Sequence, residues 1–179
     1  INPATNATRM LVYLNDGIIG ASGSNQIRLR DWKIGDMAAI NDSTFLVIEA
    51  AMRGTSDFKR IYTININQAT AITSALYNSK TVEEYVDSTG LASQNIKAVK
   101  KTLFMDLLAN GWPASLEKAE GLAIINDSTI AINNDNDYGQ FSNGDIGVAT
   151  ANNVLSHLIT YGLKGSNKIK GFKPAVTTL

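Results

Sequence analysis

Cysteine is absent from the 179 residues, which excludes a disulfide framework, a thiolate metal site and a cysteine nucleophile. Histidine occurs once, at His157, so no polyhistidine metal centre can form within the chain. His157 lies in an alternating apolar stretch without triad partners nearby, and a structural role is expected for it. Neither sign of charge is in excess, with 16 Lys plus Arg against 16 Asp plus Glu. Such a balance produces no general field for nucleic acid or an anionic membrane, and no nucleic-acid partner is expected. No apolar run approaches the ~18 residues needed to cross a bilayer, so no membrane span is expected. The P-loop, the dinucleotide fingerprint, HExxH and the Gly-x-Ser-x-Gly elbow are all missing.

With 44% apolar residues the chain can bury a core, and residues 1–179 read as a single domain or a segment of one. A first residue Ile1 in place of Met is what processing, or excision from a longer precursor, would leave.

Self-similarity organises the chain. Ile40-Asn41-Asp42-Ser43-Thr44 returns 85 residues later as Ile125-Asn126-Asp127-Ser128-Thr129, flanked each time by apolar runs. An apolar run, a polar turn and a second run rich in Ile, Val and Phe form the pattern of a β-hairpin. A propeller blade takes about 40 to 50 residues, so the offset predicts two blades with one between them, roughly four in the whole chain. Residues 60–66 and 101–107 are the candidate strands for that middle unit, or outer strands of the matched ones. Residues 10–14 and 17–20, around Asn15-Asp16, resemble a further hairpin, and residues 157–163 a last strand. Residues 68–100 read as an insertion with a small helix near 81–86, capped by Thr81 or Ser79. Trp32 and Trp112 both precede matched hairpins, which predicts equivalent packing roles. The fold class expected is all-β: a β-propeller, or a multi-blade segment of one, with a short helical insertion.

Two polar clusters stand out. In 133–139, Asn134, Asp135 and Asp137 supply closely spaced oxygens of the type Ca²⁺ accepts, but the EF-hand spacing is missing and a solvated Asn/Asp turn has the same composition. In 53–60, Arg53, Lys59 and Arg60 beside small hydroxyl residues suit a phosphate or carboxylate, or form a solvated loop. Glu120 heads the strand before the acidic loop. The repeat aligns Gly35 with Glu120 and Glu49 with Asn134, so acidic positions are not copied between units.

In order, Lys33-Ile34-Gly35-Asp36-Met37-Ala38, Phe45-Leu46-Val47-Ile48-Glu49, Phe58-Lys59-Arg60-Ile61-Tyr62 and Glu120-Gly121-Leu122-Ala123, followed by Asn134-Asp135-Asn136-Asp137-Tyr138-Gly139, resemble the phytase-like, esterase-like family. The resemblance covers roughly residues 30–140 and is most specific in its last segment. It implies a secreted or periplasmic propeller, possession of Ca²⁺, and hydrolysis of a small-molecule phosphoester. Carried over to this chain, it makes Glu120, Asn134, Asp135 and Asp137 metal ligands and Arg53, Lys59 and Arg60 phosphate-holding groups. It also implies that a second chain or a missing segment completes the ring. A non-catalytic propeller module for ligand recognition or surface assembly is the alternative.

Overall fold

The computed structural model describes residues 5–85, 87–142, 149–151, 153 and 155–172. The fold is all-β. In chain order come β1 (Trp32–Asn41), β2 (Thr44–Arg53), β3 (Ser56–Asn65), a short helix α1 (Ser88–Ser93), β4 (Lys100–Asp106), β5 (Lys118–Asn126), β6 (Thr129–Asp135), β7 (Gln140–Ser142), β8 (Ala149–Ala151) and β9 (Leu158–Gly162). They form a four-stranded sheet β1-β2-β3-β4, a three-stranded sheet β5-β6-β9 and a two-stranded ribbon β7-β8, all antiparallel.

The two repeats fold alike. Each Asn-Asp-Ser-Thr segment makes a two-residue hairpin turn, with Asn41 facing Thr44 and Asn126 facing Thr129. Asn favours such a turn because its side chain can accept from backbone further on. Asn41 Oδ1 accepts from the Ser43 and Thr44 amides at 3.1 and 3.0 Å, and Asn126 Oδ1 from the Ser128 amide at 2.9 Å. Both first strands carry an irregularity at the same place, between Ile34 and Met37 and between Ala119 and Gly121.

Strand alternation then sorts the side chains. Leu46, Ile48 and Ile61 leave one face of the first sheet and join Leu122, Ile130, Ile132 and Tyr161 of the second in the main core. Val47, Tyr62 and Ile64 leave the other face and are covered by Leu11 and Tyr13, while Ala51 packs with Ile27 and Trp32. β2 is therefore buried on both sides, between the second sheet and the segment 10–31.

Several expectations are corrected. Of the two readings of residues 60–66 and 101–107, the middle unit gives way to the outer strands: β4 pairs with β3 at the outer side of the first sheet, after the connection 66–99. An offset of 85 residues is thus one sheet plus its insertion, and the count of about four units falls accordingly. Residues 10–20 form no hairpin; they touch other elements through isolated bridges, Met10 with Ile72 and Ile19 with Ile27. The reason is local, since Asn15 and Asp16 use their polar groups on Gly17 and on Glu49 rather than closing a strand pair. The tryptophans are not equivalent. Trp32 donates to the Gly17 carbonyl within a peripheral cluster, whereas Trp112 donates to Leu116 and sits in the main core. In the insertion, Thr81 caps a 3-10 turn at Val82–Glu84 and Asp87 caps α1; Val86 lies outside the described residues.

Candidate functional site

The close approach of β1 to β5 creates the site. A Cβ on Gly35 would stand 2.4 Å from the Ala119 carbonyl oxygen and 3.1 Å from Glu120 Cα, so only glycine allows this spacing. Next to it, Asp36 Oδ2 accepts from the Leu122 amide at 2.8 Å and so satisfies a donor on the inner edge of β5. Beyond this seam opens a cleft of about 140 Å³, whose charged lining is Asp31, Lys33, Asp57, Glu117, Lys118 and Glu120. The volume lies below the ~300 Å³ where sites for drug-sized ligands begin, so it suits a compact polar head rather than a whole large molecule.

The residues singled out in the sequence fall around this cleft unevenly. Glu120 lines it directly. Lys59 stands behind it, 1% exposed, with its ammonium 2.6 Å from both oxygens of Asp57, so it holds the Asp57 carboxylate rather than meeting a ligand itself. Arg53 lies 3.9 Å from Asp31. Lys118 pairs with Asp135 at 3.2 Å and, more closely, with Asp137. The hydrogen bond from the Asp137 amide and the nearby Lys118 hold the Asp135 carboxyl below the usual range, against a small burial effect. Hydrogen bonding to Asp137 in turn raises the Lys118 pKa, outweighing desolvation. Asn134 is a bracket: 3% exposed, it accepts from the His157 amide at 2.6 Å and donates to the Leu155 carbonyl at 3.1 Å. His157 takes part through its backbone, and its side chain is exposed. The side chain of Tyr138 lies outside the described residues.

Arg60 leaves the group. Strand alternation sends it to the opposite face of β3 from Lys59. There it joins a network that sequence reasoning missed. Asp16 accepts from Arg60 Nη1 at 2.5 Å and from the Tyr62 hydroxyl, and lies 2.6 Å from Lys101 Nζ. Glu49, fully buried, accepts from the Asp16 amide at 2.7 Å, from Lys101 at 2.6 Å and from the Tyr13 hydroxyl. The Lys101 ammonium stands over both tyrosine rings, 5.0 Å from the Tyr13 centroid and 4.0 Å from that of Tyr62. Burial, followed by the neighbouring carboxylates, pushes both tyrosine hydroxyls well above their ordinary pKa. The only sequence signal was a Glu inside an otherwise apolar β2, which demands buried partners.

Calcium needs about 6 to 8 oxygens converging on one point. Among the described residues no three His, Cys, Asp or Glu side chains stand close enough to hold a metal. Asp135 and Asp137 already share the Lys118 ammonium, and the Asn134 oxygen is engaged by His157. As placed, these residues do not fit the ion.

No helix among the described residues is long and apolar enough to cross a membrane. No curated protein and no solved structure matches the chain. A family model does match, over residues 1–138, and its description is Phytase-like: Esterase-like activity of phytase. The chain belongs to that phytase-like family.

Proposed function

We propose that this chain is a segment of a β-propeller hydrolase and that the cleft between β1 and β5 receives the polar head of an ester, with a phosphoester as the leading substrate class. The single observation that carries the reading is the cleft itself, where Lys33 and Lys118 stand among the carboxylates of Asp31, Asp57, Glu117 and Glu120 at the seam of the two sheets. Ammonium groups offset charge on an anionic ester or its transition state, and a carboxylate beside them can take a proton from attacking water. Asp57, held from behind by Lys59, and Glu120 are the carboxylates in position for that task.

The propeller part of the proposal is supported by the shared register of the two repeats and by the packing of one sheet's face on the next, with β1 beside β5. A secreted or periplasmic setting, and completion of the ring by a second chain or a further segment, belong to the same reading and rest on the family likeness.

The test is hydrolysis of p-nitrophenyl phosphate and p-nitrophenyl acetate by the purified protein, compared with Glu120→Gln and Asp57→Asn. Turnover that falls at least ~100-fold in one of these variants, the usual contribution of a general base, supports the reading. Wild-type protein inert towards both esters removes it. The pairing of Lys118 with Asp135 and Asp137, and of Lys59 with Asp57, favours one other reading, a recognition module whose charges hold structure. Saturable binding of inorganic phosphate without turnover is its signature.

A further inference from the structure

We infer that the ligand of the cleft between β1 and β5 carries a primary ammonium beside its anionic head, the head meeting Lys33 and the ammonium meeting Glu117, so that the substrate class is an aminoalkyl phosphoester. This rests on the reading of that cleft as an ester site and narrows what enters it.

Strand alternation explains why charge gathers there. Ala50 stands opposite Lys33 on one side and Lys59 on the other, and Met52 stands opposite Asp57. Lys33, Asp57 and Lys59 therefore share the face of the first sheet that carries Leu46, Ile48 and Ile61 into the main core. Past the end of that core the face turns from apolar to charged, and Glu117, Lys118 and Glu120 reach the same cleft from the start of β5 and the residue before it.

Most of the charges are already matched. Lys59 holds Asp57 at 2.6 Å, Arg53 faces Asp31 at 3.9 Å, and Lys118 is shared by Asp135 and Asp137. Among the described residues Lys33, Glu117 and Glu120 enter no ion pair, so they are the charges left to a ligand. Counted with their partners, six carboxylates stand against four cations, an excess of two negative charges. A bare anion is drawn by Lys33 but repelled by that excess, and an ester with several phosphates is repelled more. An anion that brings its own cation a few atoms away answers both, its phosphate oxygens accepting from Lys33 and its ammonium donating to a carboxylate. With Glu120 kept for the proton transfer proposed above, Glu117 is the acceptor of that ammonium. The volume of about 140 Å³ suits such a compact zwitterion. A quaternary ammonium has no N–H to donate and is held by aromatic faces, and among the described residues no aromatic ring lines the cleft. A primary ammonium brings three donors to the carboxylates that do.

Titration calorimetry with O-phosphoethanolamine, O-phosphocholine and inorganic phosphate tests this without any turnover. O-phosphoethanolamine is expected to bind at least ~10-fold more tightly than either of the others, the worth of one charge-assisted hydrogen bond. Glu117→Gln is expected to abolish that preference while inorganic phosphate binds as well as before or better, and Lys33→Met to weaken all three. Both side chains are exposed, so each variant is expected to keep the circular dichroism spectrum of the wild type. Phosphatidylcholine vesicles with and without phosphatidylethanolamine separate the two sources of such a head. Protein that sediments with phosphatidylethanolamine and is released by O-phosphoethanolamine assigns a lipid headgroup, and protein that binds only the soluble compound assigns a free ester. The preference in a protein inert towards p-nitrophenyl esters keeps the inference and removes the hydrolase. Inorganic phosphate or O-phosphocholine binding as tightly as O-phosphoethanolamine, or a preference untouched by Glu117→Gln, overturns the inference and leaves the cleft as an ester site. Binding of none of the three overturns both.

Discussion

Glu49 and Asn134 stand 85 residues apart and occupy the same position in their two sheets, Glu49 opposite Ile34 and Asn134 opposite Ala119. Each is buried, and each accepts the amide of a segment crossing its sheet, from Asp16 at 2.7 Å and from His157 at 2.6 Å. The repeat has kept the bracket and changed its charge. Glu49 recruits Lys101 and Tyr13 as further donors, whereas the neutral Asn134 needs no counter-ion.

The two brackets should therefore differ in cost. Glu49→Ala leaves the Asp16 amide and the Tyr13 hydroxyl without their buried acceptor, while Lys101 keeps Asp16 at 2.6 Å, and is expected to lower stability by about 3 to 5 kcal/mol, each orphaned buried donor costing about 1 to 3 kcal/mol. Asn134→Ala removes neutral hydrogen bonds and should cost about 1 to 3 kcal/mol. Urea unfolding of both variants measures the difference, and equal losses would contradict the assigned roles.

Acid should release the segment over β2. Burial raises the Asp16 pKa, but hydrogen bonds from Lys101, Tyr62 and Arg60 outweigh it and hold the carboxyl below the usual carboxylate range. A depressed carboxyl contributes stability above its unfolded pKa and loses it as pH falls through the folded value. Protection of residues 10–31 from hydrogen exchange is thus expected to hold steady above about pH 4 and to decline below it. Asp16→Asn should lower that protection at neutral pH and flatten the acid-dependent part.

Gly35 and Gly121 should respond differently to alanine. At Gly35 the new methyl would meet backbone, the Ala119 carbonyl at 2.4 Å, so β1 and β5 must separate. At Gly121 the nearest obstacle is the side-chain oxygen of Asn133, an exposed residue that can turn away. Gly35→Ala is expected to lower the melting temperature by several degrees more than Gly121→Ala, given that about 1 kcal/mol shifts a domain of this size by ~2 to 4 °C. A thermal melt decides it.

Lys118 is the cation of the acidic loop. Replacing it with Met leaves Asp135 and Asp137 facing each other without a counter-charge. Wild-type protein is expected to show no change of melting temperature on adding millimolar-range calcium or a chelator, while Lys118→Met gains weak calcium binding readable by calorimetry. A chelator-sensitive wild type would contradict the fit described above.

Tyr161 carries a buried hydroxyl that finds no partner among the described residues, and burial raises its pKa. Tyr161→Phe is expected to be neutral or stabilising by up to about 1 kcal/mol, since it removes an unsatisfied polar group and keeps the ring in the core. Chemical denaturation with an unchanged m-value would show it.

The sequence by itself determined the local elements. Asn41-Asp42-Ser43-Thr44 and its copy dictate tight turns because Asn bonds its own backbone, and the alternating Ile, Val and Phe around them dictate strands. Glu120, Arg53 and Lys59 also stood out as charges in the sequence, and the structure sets Glu120 in the cleft, Lys59 on Asp57 behind it and Arg53 beside Asp31. Only the tertiary structure decided that β4 returns to β3 across the connection 66–99, that residues 10–31 lie over β2 instead of pairing as a hairpin, and that Asp16, Glu49 and Lys101 meet. It likewise decided that Lys33, Asp57 and Lys118 share the cleft and that Arg60 faces away from it. The physical reason is range. A turn or a strand is set by neighbours within a few residues, whereas a buried ion pair is set by whichever distant carboxylate and ammonium lose their water together, and no local periodicity records that choice.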